Sequence, residues 1–277
     1  MIKILKKILN WTPTPQLNII MNLVGLNLII SYCWNLFFKV IFFKYKKKQT
    51  LINHEQYDQL SKNGVLQIDN FLNEDDYIKL KNLIDEETKE KSSSSTDYSI
   101  TLQTFNKINL RSNILTKYFG VNSELQKCIE CLSGIKSKIQ PPIEYRVIKN
   151  ENKVLDHYDD QQDKLHKDVF YDSYKAIMYL NNVDKGNGAF IYALGTSSLT
   201  LGNIFYNYIN AIVGIKSYEQ VYKNLNKQSL EAKENSLIIM NASGLHQRGK
   251  FNMEGERKTL FIDFRYFHSL YNLKSLL

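Results

Sequence analysis

LHKDVFYDSYKAIMYLNNVDKGNGAFIYALGTSS, residues 165–198, is the stretch that decides how this chain folds. Its centre, YKAIMYL (174–180), is a short run of aromatic, branched and other apolar residues, the composition of a strand. NNVDKGNG (181–188) is dense in Asn, Asp and Gly, which favour turns. AFIYAL (189–194) is strand-like again. The same texture recurs in IEYRVIK (143–149), just after Pro141–Pro142, in SLIIM (236–240) and in TLFIDFRYF (259–267). Residues 199–230 read as mostly helical and interrupt the series.

Upstream, residues 51–140 read as helices with one strand. His54–Asn63 is expected to be a helix stopped by Gly64, which tolerates the left-handed conformation of a C-cap. VLQID (65–69) alternates like a strand. Asn73 is a fitting N-cap, with Glu74, Asp75 and Asp76 in the first turn of a helix running to about Glu90. KSSSST (91–96) reads as a loop, and a further helix is expected near 122–136. Helices first and regularly spaced strands later argue for an α+β protein built on a sandwich or barrel.

The first fifty residues are a different material. They hold eight Lys and no acid, so the net charge of +8 lies wholly there, and residues 51–277 balance at 28 bases and 28 acids. A neutral main domain argues against a nucleic-acid partner. From Leu17 to Phe38 no charged residue occurs, a length that suits a bilayer span, although several Asn dilute it. Three readings stand for this segment: a membrane insertion, an amphipathic helix on an anionic surface, and a helix packed on the main domain. No small-residue cleavage site follows it, against a removed signal peptide. The larger Lys cluster follows the apolar run, which puts the main domain on the cytoplasmic side of a membrane, or in the cytoplasm. The division expected is therefore 1–50, a hydrophobic basic anchor with membrane association through residues 17–48, and 51–277, the functional domain. Three Cys do not make a disulfide framework, and Cys128 and Cys131 read as two helical thiols one turn apart.

Five His residues are present, and two stand out. His166 and Asp168 form H-x-D just ahead of YKAIMYL. In extended chain, residues i and i+2 point the same way, so both side chains can meet one ion. His246 follows the strand SLIIM and can join them only through the fold. Two imidazoles and one carboxylate that leave other positions open are the ligand set of non-haem Fe(II) oxygenases. A second H-x-D, His157-Tyr158-Asp159, lies too far ahead of the strand. Arg occurs only five times, and Arg257 falls eleven residues after His246. Its planar fork suits the far carboxylate of a keto-acid cosubstrate, which Lys cannot grip in the same way.

Three stretches resemble the phytanoyl-CoA dioxygenase family. Residues 165–198 resemble its metal-binding core, an H-x-D followed by strand, Asp/Asn–Gly turn and strand. NASGLHQRGKFNMEGERKTLFIDF (241–264) resembles its second half, and GVLQIDNFLNEDDYIKLKNLI (64–84) its entry. The resemblance spans about residues 55–267. It implies a double-stranded β-helix of jelly-roll or cupin type with flanking helices, and Fe(II)- and 2-oxoglutarate-dependent oxygenation. It implies that His166, Asp168 and His246 are iron ligands and the catalytic set. It also implies that Arg257, and more weakly Thr259 through an Arg-x-Ser/Thr pair, bind 2-oxoglutarate, with ascorbate as reductant. Gly195-Thr196-Ser197 departs from the family's usual Gly-Ser-His. Asp168 favours hydroxylation over halogenation, since family members that halogenate lack that carboxylate. The expected reaction is hydroxylation of a small-molecule or lipid-like substrate, with succinate and carbon dioxide as co-products. The competing expectation is a non-catalytic β-helix that serves as a membrane-associated binding module.

Overall fold

The computed structural model describes residues 51–88, 94–97, 100–106, 113–133, 141–150, 164–168, 173–197, 224–251 and 255–264. The apolar segment 17–38, the basic cluster after it and most of 199–230 lie outside the described residues. Among the described residues no helix is long and apolar enough to cross a membrane.

Helix α1 (His54–Asn63) begins in a reciprocal cap. The Asn53 side chain accepts from the backbone of Gln56, and the Gln56 side chain accepts from the backbone of Asn53. It ends at Gly64, whose φ of 83° is left-handed. Strand β1 (Val65–Ile68) follows, then helix α2 (Glu74–Thr88), capped by the Asn73 carboxamide, which accepts from the Asp76 backbone. Helices α3 (Asn113–Phe119) and α4 (Glu124–Ser133) complete the helical layer. Cys128 and Cys131 both lie on α4, and neither is joined in a disulfide.

The strands are β2 (Ser94–Asp97), β3 (Ile100–Asn106), β4 (Ile143–Asn150), β5 (Tyr174–Tyr179), β6 (Phe190–Ala193), β7 (Lys227–Leu230), β8 (Ser236–Asn241), β9 (His246–Gln247) and β10 (Glu256–Asp263). Seven form one sheet in the order β1-β8-β5-β10-β4-β3-β2, and three form a second in the order β7-β6-β9. Every pairing is antiparallel.

Three expectations need correction. Residues 51–140 hold three strands, not one, and KSSSST is not all loop, because Ser94 and Ser95 open β2. That strand is short and polar, and the structure holds it by pairing with β3, which itself lies against β4. Strand formation here follows its neighbours more than its own composition. Within 199–230 the described residues are not helical: Lys227–Leu230 is β7, paired with β6. The last strand also starts earlier than expected, at Glu256, and stops at Asp263.

Two cores separate the layers. On one face of the large sheet, Leu66, Tyr145, Met178, Ile239 and Leu260 pack with Leu60, Leu80, Phe119 and Ile129 of the helices. On the other face, Val65, Ile177, Tyr179, Ile238, Met240 and Phe261 meet Phe190, Tyr192 and Leu230 of the small sheet. Strands β5 and β8 are buried at every position because both faces are covered. Each fully buried large apolar side chain contributes roughly 1.5–3 kcal/mol.

Asn235 ties the helical side to β8. Its carboxamide accepts from the Leu72 backbone and donates to the Leu72 carbonyl, and its own carbonyl accepts from Phe71. It is buried and left-handed, with φ at 65°. Asn235→Ala strands both Leu72 groups and strains the backbone. We expect a loss of about 2–3 kcal/mol, read as a lower denaturant midpoint at unchanged slope.

Candidate metal and cosubstrate site

The site grows from one backbone bridge. His166 donates its amide to the His246 carbonyl at 2.9 Å, and His246 returns the bond at 3.0 Å. The two imidazoles therefore stand side by side, with ring centroids 4.5 Å apart. Asp168, two residues on, is fixed by its amide, which donates to the Ala242 carbonyl at 3.2 Å. The ligand atoms of His166, Asp168 and His246 all lie within 4.8 Å of one another. His157 and Asp159 lie outside the described residues.

Backbone carbonyls orient both rings. His166 Nδ1 lies 2.8 Å from the Lys164 carbonyl, and His246 Nδ1 lies 2.9 Å from that of Gly244. A carbonyl can only accept, so His166 Nδ1 carries the proton and its Nε2 keeps its lone pair, whereas His246 lies between two acceptors, the Gly244 carbonyl and the Asp168 carboxylate. His166 Nε2 is buried without a hydrogen-bond partner, and His246 Nε2 faces an Asp168 carboxylate oxygen at 3.2 Å. Burial, then the neighbouring His246, holds His166 below its ordinary pKa. Burial pushes Asp168 upward, but His246 and the Lys175 ammonium outweigh it and hold the carboxyl well below the usual range. Two imidazoles whose Nε2 atoms point inward and one ionised carboxylate fit a divalent transition ion, and outer hydrogen bonds of this kind are what orient metal ligands.

Gly244 is needed for this geometry. A Cβ there would sit 1.8 Å from the Tyr192 hydroxyl, which donates to the Asn241 carbonyl at 2.8 Å. Tyr192 and Phe190 also stack on the His246 ring.

Arg257 lies on β10, buried, and donates to the Gly188 carbonyl at the end of the NNVDKGNG turn. Asp184 shapes that turn, accepting from the amides of Gly186 and Asn187. The Arg257 guanidinium lies 5.8 Å from the Phe251 ring, and its Nε is buried without a hydrogen-bond partner. Burial first, then the charges of Arg248 and Arg146, bring its pKa down to about 10. Among the described residues, the cations that act on this buried guanidinium are Arg248 and Arg146, an environment that suits a bound anion. Thr259 is buried two residues along the same strand, directly opposite Tyr179 and Arg146.

The structure thus brings His166, Asp168 and His246 together and puts Arg257 and Thr259 on one strand. The sequence reading did not single out Lys175 or Phe261, and did not place Arg146 at the site. Lys175 is buried and its ammonium pairs with Asp168. Its signal is a lysine inside the otherwise apolar YKAIMYL. Arg146 was marked only by the scarcity of Arg.

No protein-family model and no curated protein sequence matches the chain. Many solved structures do. EctD from S. alaskensis, with bound Fe, is 12% identical, with a TM-score of 0.54, covering 80% of this chain and 79% of that one. SnoK, a non-heme alpha-ketoglutarate-dependent carbocyclase of nogalamycin biosynthesis, is 12% identical, with a TM-score of 0.51, covering 82% and 91%. AviO1 from Streptomyces viridochromogenes Tue57 is 15% identical, with a TM-score of 0.50, covering 79% and 96%.

Titration with Mn(II) checks whether the three groups act as one ligand set. His166→Ala or His246→Ala is expected to weaken binding by more than about 100-fold, beyond the loss of an outer hydrogen-bond partner, while His157→Ala leaves it unchanged. At such identities the likeness is one of fold: this chain has the two-sheet antiparallel architecture of the jelly-roll type.

Proposed function

We propose that the chain is an Fe(II)- and 2-oxoglutarate-dependent dioxygenase, of the phytanoyl-CoA dioxygenase kind, that hydroxylates a small-molecule or lipid-like substrate. The observation that carries this reading is the convergence of the His166 and His246 Nε2 atoms on an ionised Asp168, with buried Arg257 on a strand of the same inner face. Two of the solved structures of like fold bear iron or alpha-ketoglutarate in their names, which supports the same reading.

In this proposal His166, Asp168 and His246 hold the iron, and Arg257 takes the far carboxylate of 2-oxoglutarate, with Thr259 beside it. Bound together, iron and 2-oxoglutarate supply dioxygen activation, with succinate and carbon dioxide as co-products and ascorbate keeping the metal reduced. The chain's own residues do the rest. The Lys164 and Gly244 carbonyls fix the ring orientations. Phe190, Tyr192, Phe251 and Phe261 line the site with apolar surface that keeps water out. The Arg257 fork sets the reach of the cosubstrate. Residues 51–277 are the catalytic unit, and residues 17–48 tether it to the cytoplasmic face of a membrane.

Succinate formation with Fe(II), ascorbate and 2-oxoglutarate tests this. Purified protein is expected to form succinate slowly without substrate, and His166→Ala to form none. The absence of both turnover and metal-dependent 2-oxoglutarate binding would sink the proposal and favour a non-catalytic binding module. Arg257→Lys keeps the charge but loses the fork, and should raise the KM for 2-oxoglutarate by about tenfold or more.

A further inference from the structure

We propose that Thr196 is a positioning residue for the metal ligands, a clamp that holds the His166–Asp168 segment and the His246 segment together through their chain neighbours. This deepens the oxygenase reading and rests on it for the identity of the ion, but not for the clamp itself.

Thr196 lies in the turn that follows β6 and is 6% exposed. Its hydroxyl donates to the Ala193 carbonyl at 2.7 Å and accepts from the Leu245 amide at 2.8 Å. Leu245 is the residue before His246. The Thr196 carbonyl accepts from the Lys167 ammonium at 3.2 Å. Lys167 stands between His166 and Asp168. One residue therefore reaches both ligand-bearing segments, one through its side chain and the other through its backbone.

The register explains why this matters. His166 and His246 form an antiparallel bridge, so the next pair along sets Lys167 opposite Leu245. Thr196 bonds to both members of that pair. The histidine bridge joins the two segments at one point, and a joint at one point can pivot. The clamp supplies a second point one residue away.

The apolar packing follows the same plan. Leu165 precedes His166 as Leu245 precedes His246, and the two leucines pack with Ala193 in a small cluster apart from the two larger cores. Neighbours in extended chain point to opposite sides, so each leucine is anchored on the side away from its histidine. The Ala193 amide donates to the Leu245 carbonyl at 2.9 Å. Leu245 thus has both backbone polar groups paired, the carbonyl with β6 and the amide with Thr196. Leu245 is wholly buried. A buried amide that loses its acceptor costs more than the bond itself contributes, so the chain carrying His246 shifts if the hydroxyl is removed.

The turn is stiff enough to act as a clamp. Gly195 is left-handed, with φ at 76°, and its amide donates to the Asn63 carbonyl at the end of α1 at 2.9 Å. The Leu194 amide donates to the Asn226 carbonyl at 2.9 Å. The turn is therefore pinned from two sides before it reaches Thr196. Branching at Cβ narrows the χ1 choices of a threonine, which keeps its hydroxyl aimed between Ala193 and Leu245.

The test joins amide hydrogen exchange in the metal-free full chain with Co(II) titration followed by visible absorption. Thr196→Val keeps the shape and loses the hydroxyl, and Thr196→Ser keeps the hydroxyl. In Thr196→Val the amides of Leu245, His166 and Asp168 are expected to exchange about tenfold faster. Co(II) affinity should fall about tenfold or more, with a changed absorption spectrum, the scale of a lost outer hydrogen-bond partner. Thr196→Ser should restore exchange, affinity and spectrum. Asn235→Ala controls for lost stability: it should unfold more easily yet bind Co(II) as the natural chain does. Should Thr196→Val not fold, Thr196→Ala, which only removes atoms, carries the same test. The proposal is overturned if Thr196→Val binds Co(II) with natural affinity and spectrum, or if Leu245 alone loosens while His166 and Asp168 keep their protection. It is also overturned if Asn235→Ala changes Co(II) binding to the same extent. Failure of the oxygenase reading looks different: the natural chain takes up no Co(II), or turns over no 2-oxoglutarate with Fe(II), while exchange in the metal-free protein still reports on the clamp.

Discussion

Two backbone hydrogen bonds, exchanged between His166 and His246, are the constraint on which the rest of the site depends. They join positions eighty residues apart and set two imidazoles at contact distance. A single hydrogen bond is worth only about 1 kcal/mol net, so the bridge cannot stand alone. It is held because β5 and β8 are paired along their whole length, and because Ala242, just past β8, accepts from Asp168 and donates to Ser173. The geometry of the ligand atoms is thus inherited from a sheet that is buried on both faces.

The two faces of that sheet have different work. The helical side packs a large apolar cluster and supplies stability, although Gln126 and Glu130 of α4 are buried as well. Between the two sheets, apolar residues mix with Lys175 and Arg257 of the large sheet and with His246 and Arg248 at the small one, all buried. Buried charges are expensive unless paired, and replacing them by apolar residues is often neutral or stabilising. Their concentration between the two sheets is therefore a functional signature. Alternation along the strands makes the division: in β5, Tyr174, Ala176 and Met178 face the helices, whereas Ile177 and Tyr179 face the small sheet.

Much of this was legible in the residues, and the reasons differ by element. Helices α1 and α2 announce themselves by local chemistry, since a cap needs only an Asn or a Gly at the right place. The strands β5, β6 and β8 are apolar enough to stand out. The histidines with Asp168 were legible because an H-x-D before a strand is a local pattern. Strands β2 and β7 were hidden because SSTD and KQSL carry little strand character, and their partners supply the pairing. Lys175 was hidden for another reason. A lysine in a strand reads as a solvent-facing residue until the fold shows that both faces are covered.

Strand β10 lies between β5 and β4 in the middle of the large sheet, although it is the last described strand in the chain. As the protein emerges from the ribosome, β4 and β5 must wait, each with an open row of amide and carbonyl groups. Such unfilled edges invite pairing with other chains. The sheet is thus two halves until β10 arrives. The growing chain is then most exposed to aggregation just before β10 emerges, and help from a chaperone matters most during that interval.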